Sequence, residues 1–101
     1  TPTVPDGYRS IWSQYTLRAH SSQDREDTMA ALKMSDIPSV IYYPTPLHMQ
    51  SAYRHFPRDP KGLPQAERMA DEVFSLPMHP YLSSEDQGRV IEALQKKPTD
   101  F

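Results

Sequence analysis

Cysteine is absent from the 101 residues, so neither a disulfide framework nor a thiolate metal site is available, which fits a reducing compartment. Glycine is scarce: three residues, too few and too far apart to cradle a phosphate, which excludes a P-loop and a dinucleotide fingerprint. No sign of charge dominates. Eleven Lys and Arg stand against thirteen Asp and Glu, interspersed, for a net charge of -2, so no basic stripe points to nucleic acid and no polybasic run points to a membrane surface. No apolar run approaches the ~20 residues of a membrane span, and Thr1 to Asp6 lacks the charged and apolar regions of a signal peptide. A cytoplasmic location is the expectation. The chain opens at Thr1 without a methionine, as expected of a fragment or a processed product.

What is present is proline and polar surface. Eleven prolines, a 37% apolar fraction and a mean hydropathy of -0.73 describe a loop-rich but globular chain. At this length one small domain over residues 1–101 is expected, with roughly 60–70% of the unfolded surface buried and a thin core.

In chain order, residues 1–9 carry Pro2, Pro5 and Gly7 and read as an extended lead-in. Ile11 to Leu17 alternates, with Ile11, Tyr15 and Leu17 on an apolar face and Trp12 and Gln14 on the other, which predicts a first strand. A helix to about Ser35 follows, opened by Ser22 or Asp24 as N-cap and carrying Thr28, Met29, Ala31 and Leu32 on its apolar stripe. Asp36 stands where a left-handed residue closes the helix, and Ile37 to Tyr43 is the predicted second strand. Pro44 and Pro46 end it, because neither has an amide to donate to a ladder. Thr45-Pro46 predicts a two-turn helix to Tyr53, residues 54–63 a mobile loop, and Pro64 a helix to about Phe74. Phe74 to Met78 is a candidate third strand, which Pro77 restricts to an edge or to a strand end. Ser83 or Ser84, with Asp86 or Gln87, caps a last helix whose apolar face is Val90, Ile91 and Leu94 and which Pro98 stops. The fold class is therefore α+β: a small, mostly antiparallel sheet of about three strands, with helices mainly on one face and an exposed apolar patch around Trp12.

Chemistry is concentrated around Val40 to Gln50, where a strand end aims side chains at open space. In a regular strand Tyr42 and Tyr43 point to opposite faces, so the pair either packs the strand end or presents one hydroxyl outward. His48 is either a surface or capping residue or a functional imidazole. His20, His48, His55 and His79 have no ligand spacing, so no metal site is expected, and no serine lies in a nucleophile elbow. No complete catalytic constellation is present.

Five segments in order carry a resemblance that covers nearly the whole chain: Trp12-Ser13-Gln14-Tyr15-Thr16, Ile37-Pro38, Tyr43-Pro44-Thr45-Pro46-Leu47-His48-Met49-Gln50, Pro64-Gln65-Ala66-Glu67-Arg68 and Ser75-Leu76-Pro77-Met78-His79-Pro80. Together they resemble the C-terminal small domain of the DegT/DnrJ/StrS sugar aminotransferases, pyridoxal-phosphate enzymes of fold type I. The resemblance implies a complete enzyme that moves an amino group between glutamate or glutamine and a nucleotide-linked keto sugar, at a site between two subunits of a homodimer. It implies substrate-binding roles for Tyr42, Tyr43 and His48, with Trp12 and Gln14 near the same edge. The imine lysine and the phosphate site would belong to a large domain of the same polypeptide. Lys33, Lys61, Lys96 and Lys97 match no such motif, so this chain alone is expected to bind no cofactor and to be inactive. Two positions depart from the family pattern: Tyr42, where many members have histidine, and Asp36, where glycine is usual. The alternative is a free-standing binding or assembly module with the same fold. The particular nucleotide sugar, the carbon aminated and the pathway are not legible.

Overall fold

The computed structural model describes residues 1–96. The expected stop at Pro98, and Lys97 beside it, lie outside the described residues. The elements run β1 (Tyr15–Arg18), α1 (Ser22–Met34), α2 (Pro64–Glu72), β2 (Val73–Leu76) and α3 (Ser84–Gln95), with a single 3-10 turn at Leu47–Met49 between α1 and α2. The α+β class holds, with β1 and β2 antiparallel.

The first strand is shorter than its alternation predicts. Trp12 has a φ of 50°, outside the extended region, so Ile11 lies beyond the ladder and is 93% exposed. Trp12 itself is half-buried and packs on Tyr15, ring centres 5.1 Å apart. The exposed apolar surface there belongs to its neighbours Tyr8 and Ile11.

The predicted second strand contracts to one bridge. Val40 exchanges both backbone hydrogen bonds with Ser75, at 3.1 and 2.7 Å, between Pro38 and Pro44, which cannot donate to a ladder. Of the two places open to Pro77 the structure takes the strand end: the segment is paired on both sides, with β1 on one and Val40 on the other. Pro77 falls just past its last paired residue, Leu76. α2 stops at Glu72 rather than Phe74, because Val73 and Phe74 pair with Arg18 and Leu17.

Register decides what each face buries. Opposed residues share a face, so Leu17 with Phe74 and Tyr15 with Leu76 look one way, Thr16 with Ser75 and Arg18 with Val73 the other. On the first face the core gathers Leu32, Ile37, Phe74, Ala19 and Ala93, flanked by Leu17, Leu76, Val90 and Leu94. Leu32 is fully buried, a burial that contributes about 1.5–3 kcal/mol. Ile91, predicted for the apolar face of α3, is exposed, and Ala93 takes the buried place. On the second face the Thr16 and Ser75 hydroxyls meet at 2.9 Å.

The helix ends follow local chemistry. Ser21, one residue before the predicted cap, accepts from the Asp24 amide at 3.1 Å, while Asp24 Oδ2 accepts from the His20 amide at 2.8 Å. At the far end of α1, Ile37 N–H reaches Leu32 C=O and Asp36 N–H reaches Lys33 C=O, with Asp36 at a φ of 57°. This is the Schellman arrangement, whose apolar contact is supplied by Ile37 and Leu32 in the core. Ser83 caps α3, accepting from the Asp86 amide at 3.0 Å. Among the described residues no helix is long and apolar enough to cross a membrane.

Candidate substrate-binding cleft

Past Val40 the chain leaves the sheet and folds back along α2. The helix predicted from Pro46 to Tyr53 is only the 3-10 turn Leu47–Met49, followed by further turns. Pro46 is extended, with a ψ of 149°, Thr45 makes no side-chain cap, and Gln50 is extended again at a ψ of 140°. Without a capped first turn, the short segment does not propagate as an α-helix.

Between this returning segment, the 54–63 loop and α2 lies a cleft of about 960 Å³. That is the upper end of the volume range usual for a small-ligand site. Its walls are mainly apolar, from Tyr53, Phe56, Leu63 and Met69, and its polar residues include Tyr42, Tyr43, Thr45, His48, Gln50 and Arg58. A hydrophobic enclosure with a small set of hydroxyl, imidazole and guanidinium groups suits a ligand with both ring faces and oxygen-rich substituents.

Three of the five predicted site residues come together here. Tyr42 and Tyr43 both line the cleft, but not as neighbours in a regular strand pointing to opposite faces. The peptide between them is cis, and their rings meet edge to face with centres 5.7 Å apart. His48 lines the same cleft, its Nε2 2.9 Å from Glu67 Oε1 on α2. Gln14 lines a smaller cleft of about 220 Å³ beside Ser75, which Tyr42 also lines, so Tyr42 joins the two. Trp12 lines neither.

Sequence reasoning passed over Arg58 and Glu67. Arg58 sits in the loop read only as mobile, yet its Nη1 donates to the His48 carbonyl at 3.1 Å. Glu67 stands in the sequence only as part of the family-like segment that opens α2, with no role of its own, and its distance from His48 singles it out. Charged residues at i and i+19 or i+10 carry no periodic signal.

Among the described residues, no group of three or more His, Cys, Asp or Glu side chains could hold a metal ion. The sequence model of the DegT/DnrJ/EryC1/StrS aminotransferases matches residues 1–95.

The chain belongs to the DegT/DnrJ/EryC1/StrS aminotransferase family.

Individual relatives agree. The chain is 39% identical over 94 residues to a pleiotropic regulatory protein of Geobacillus stearothermophilus, covering 93% of this chain and 24% of that one. It is 39% identical over 85 residues to the UDP-2-acetamido-2-deoxy-3-oxo-D-glucuronate aminotransferase of Pseudomonas aeruginosa, covering 83% and 22%. The crystal structure of a DegT DnrJ EryC1 StrS aminotransferase from Brucella abortus superposes with a TM-score of 0.84 at 46% identity, covering 93% of this chain and 24% of that one. The chain thus spans about a quarter of the length of the relatives it matches.

A family of aminotransferases brings pyridoxal phosphate into question, and the cleft residues do not fit it. An imine requires an amine, and neither Lys33 nor Lys61 lines the cleft, while Lys96 pairs with Glu92 on α3. That pairing holds the Glu92 carboxyl below its usual range. No step through the cofactor follows from these residues. What they offer is hydrogen bonding and aromatic contact to a bound molecule.

Proposed function

We propose that residues 1–101 form the C-terminal small domain of a pyridoxal-phosphate aminotransferase acting on nucleotide-linked keto sugars, with glutamate or glutamine as amino donor. In this reading the cofactor and its lysine belong to a large domain of the same polypeptide, the complete enzyme is a cytoplasmic homodimer, and this domain supplies one wall of the substrate site. The observation that carries it is the convergence of Tyr42, Tyr43 and His48 on one cleft. The activity for which the Pseudomonas relative is named, amino transfer to a UDP-linked oxo sugar, supports the substrate class.

Exposed apolar surface supports a missing second wall. Ile11, Met34 and Tyr81 are each about nine-tenths exposed, and the radius of gyration is 16.0 Å against about 13 Å for a self-contained domain of this length. Gln14 is assigned to the substrate edge through Tyr42, and Trp12 to the boundary with the large domain.

Substitution in the full-length enzyme tests the reading. His48→Ala and Tyr43→Phe should each raise KM for a keto-sugar nucleotide roughly 3- to 10-fold, the effect of one lost hydrogen bond, with little change in melting temperature. Unchanged kinetics in both variants would remove these residues from the site.

A further inference from the structure

His48 enters the cleft with one ring nitrogen already committed. Its Nε2 lies 2.9 Å from Glu67 Oε1, and the imidazole is 11% exposed while the glutamate is 48% exposed. An ionised carboxylate only accepts hydrogen bonds, so the proton between them sits on Nε2. In the neutral ring this selects the tautomer, leaving Nδ1 with a bare lone pair. The backbone of the residue is fixed as well, by the Arg58 guanidinium on its carbonyl. Among the described residues Nδ1 has no hydrogen-bond partner.

A carboxylate in a helix first turn is favoured by the helix dipole without any partner, so α2 does not need His48 to accommodate Glu67. The contact therefore does more for the imidazole than for the helix. It fixes the ring on the cleft wall and decides what that ring recognises.

We propose that Glu67 is a positioning residue: it holds His48 so that Nδ1 accepts a hydrogen bond from a hydroxyl of the sugar nucleotide. This rests on the reading of the cleft as a sugar-nucleotide site. Removing Glu67 frees the ring to rotate and to exchange tautomers, so a substrate hydroxyl then meets an N–H in part of the population. Glutamine at this position keeps a carbonyl oxygen that accepts from Nε2–H.

The test is a double-mutant cycle in the full-length, cofactor-loaded protein. Binding of UDP-N-acetylglucosamine and of dTDP-glucose is measured by calorimetry, and the cycle uses whichever the unmodified protein binds more tightly. Glu67→Ala should weaken binding about tenfold when His48 is present and leave it unchanged in the His48→Ala background, while Glu67→Gln keeps most of the affinity. An equal loss from Glu67→Ala in both backgrounds, or no loss in either, overturns the positioning role while the cleft reading stands if His48→Ala alone weakens binding. If His48→Ala has no effect, or neither probe binds the unmodified protein, the cleft reading falls and the positioning role falls with it. Melting curves of each variant separate these effects from unfolding, which the half-exposed Glu67 makes a minor concern.

Discussion

Arg18 and Glu72 close one end of the sheet: the arginine Nε lies 2.7 Å from the glutamate Oε2, where β1 finishes and α2 passes without a loop into β2. Arg68 adds a second contact to the same carboxylate at 3.3 Å, and the Ala19 amide donates to the Glu72 carbonyl at 2.9 Å. One residue thus ties the strand end to the helix end through both its side chain and its backbone.

The hydrogen bond from Arg18, followed by the charges of Arg18 and Arg68, holds the Glu72 carboxyl below its usual value of 4.5. A carboxyl depressed in the folded state stabilises the fold fully above its unfolded value, and the contribution disappears as pH falls through the folded value. Acid unfolding should therefore steepen below about pH 4.5. Glu72→Gln should lower stability at neutral pH and flatten that acid limb, so the two curves converge at the lowest pH. Urea unfolding monitored across the acid range measures this directly. Curves that stay parallel throughout would mean that the ionisation of Glu72 contributes nothing to stability.

Much of this fold is written locally, and the exceptions are tertiary. The caps at Ser21 and Ser83, Pro64 at the start of α2 and the left-handed Asp36 all follow from neighbours within a few residues in sequence. Strand extent does not. Ile11 keeps the alternation but loses the ladder because Trp12 turns left-handed, and Val73 leaves the predicted helix because Arg18 pairs with it from far away in sequence. The site divides the same way. Tyr42, Tyr43 and His48 stand out by residue type at a strand exit, whereas Glu67 and Arg58 matter only through contacts nineteen and ten residues away from His48.

Asp36 gives a clean test of the α1 exit. Its φ of 57° costs a residue with a Cβ on the order of 1 kcal/mol, partly offset in a glycine variant by the entropy glycine loses on folding. Asp36→Gly should stabilise the protein by about 0.5 kcal/mol, seen as a melting temperature about 2–4 °C higher. Asp36→Val should move it the other way, since a β-branched side chain is disfavoured in that conformation. A glycine variant less stable than the parent would show that the aspartate side chain contributes more than its backbone conformation costs.

Tyr42 lines both clefts, the larger one with His48 and the smaller one with Gln14, and its ring edge meets Tyr43. The ring and the hydroxyl can be separated by substitution. Tyr42→Phe keeps the ring contact and removes the hydroxyl, so melting should be unchanged within about 1 °C while KM for the keto-sugar nucleotide rises roughly 3- to 10-fold. Tyr42→His restores a hydrogen-bonding group with a shorter reach. It should recover binding for some sugars and not others, changing the preference order among nucleotide sugars that differ at one ring substituent. A specificity difference needs a group whose hydrogen bond one substrate satisfies and another leaves unpaired, and a phenol exchanged for an imidazole alters that geometry at a single point. Competition assays with paired sugar nucleotides read the order. If Tyr42→Phe lowers the melting temperature and leaves KM alone, the residue is a packing element at the sheet exit, and the specificity of the cleft must be sought at Tyr43 and His48.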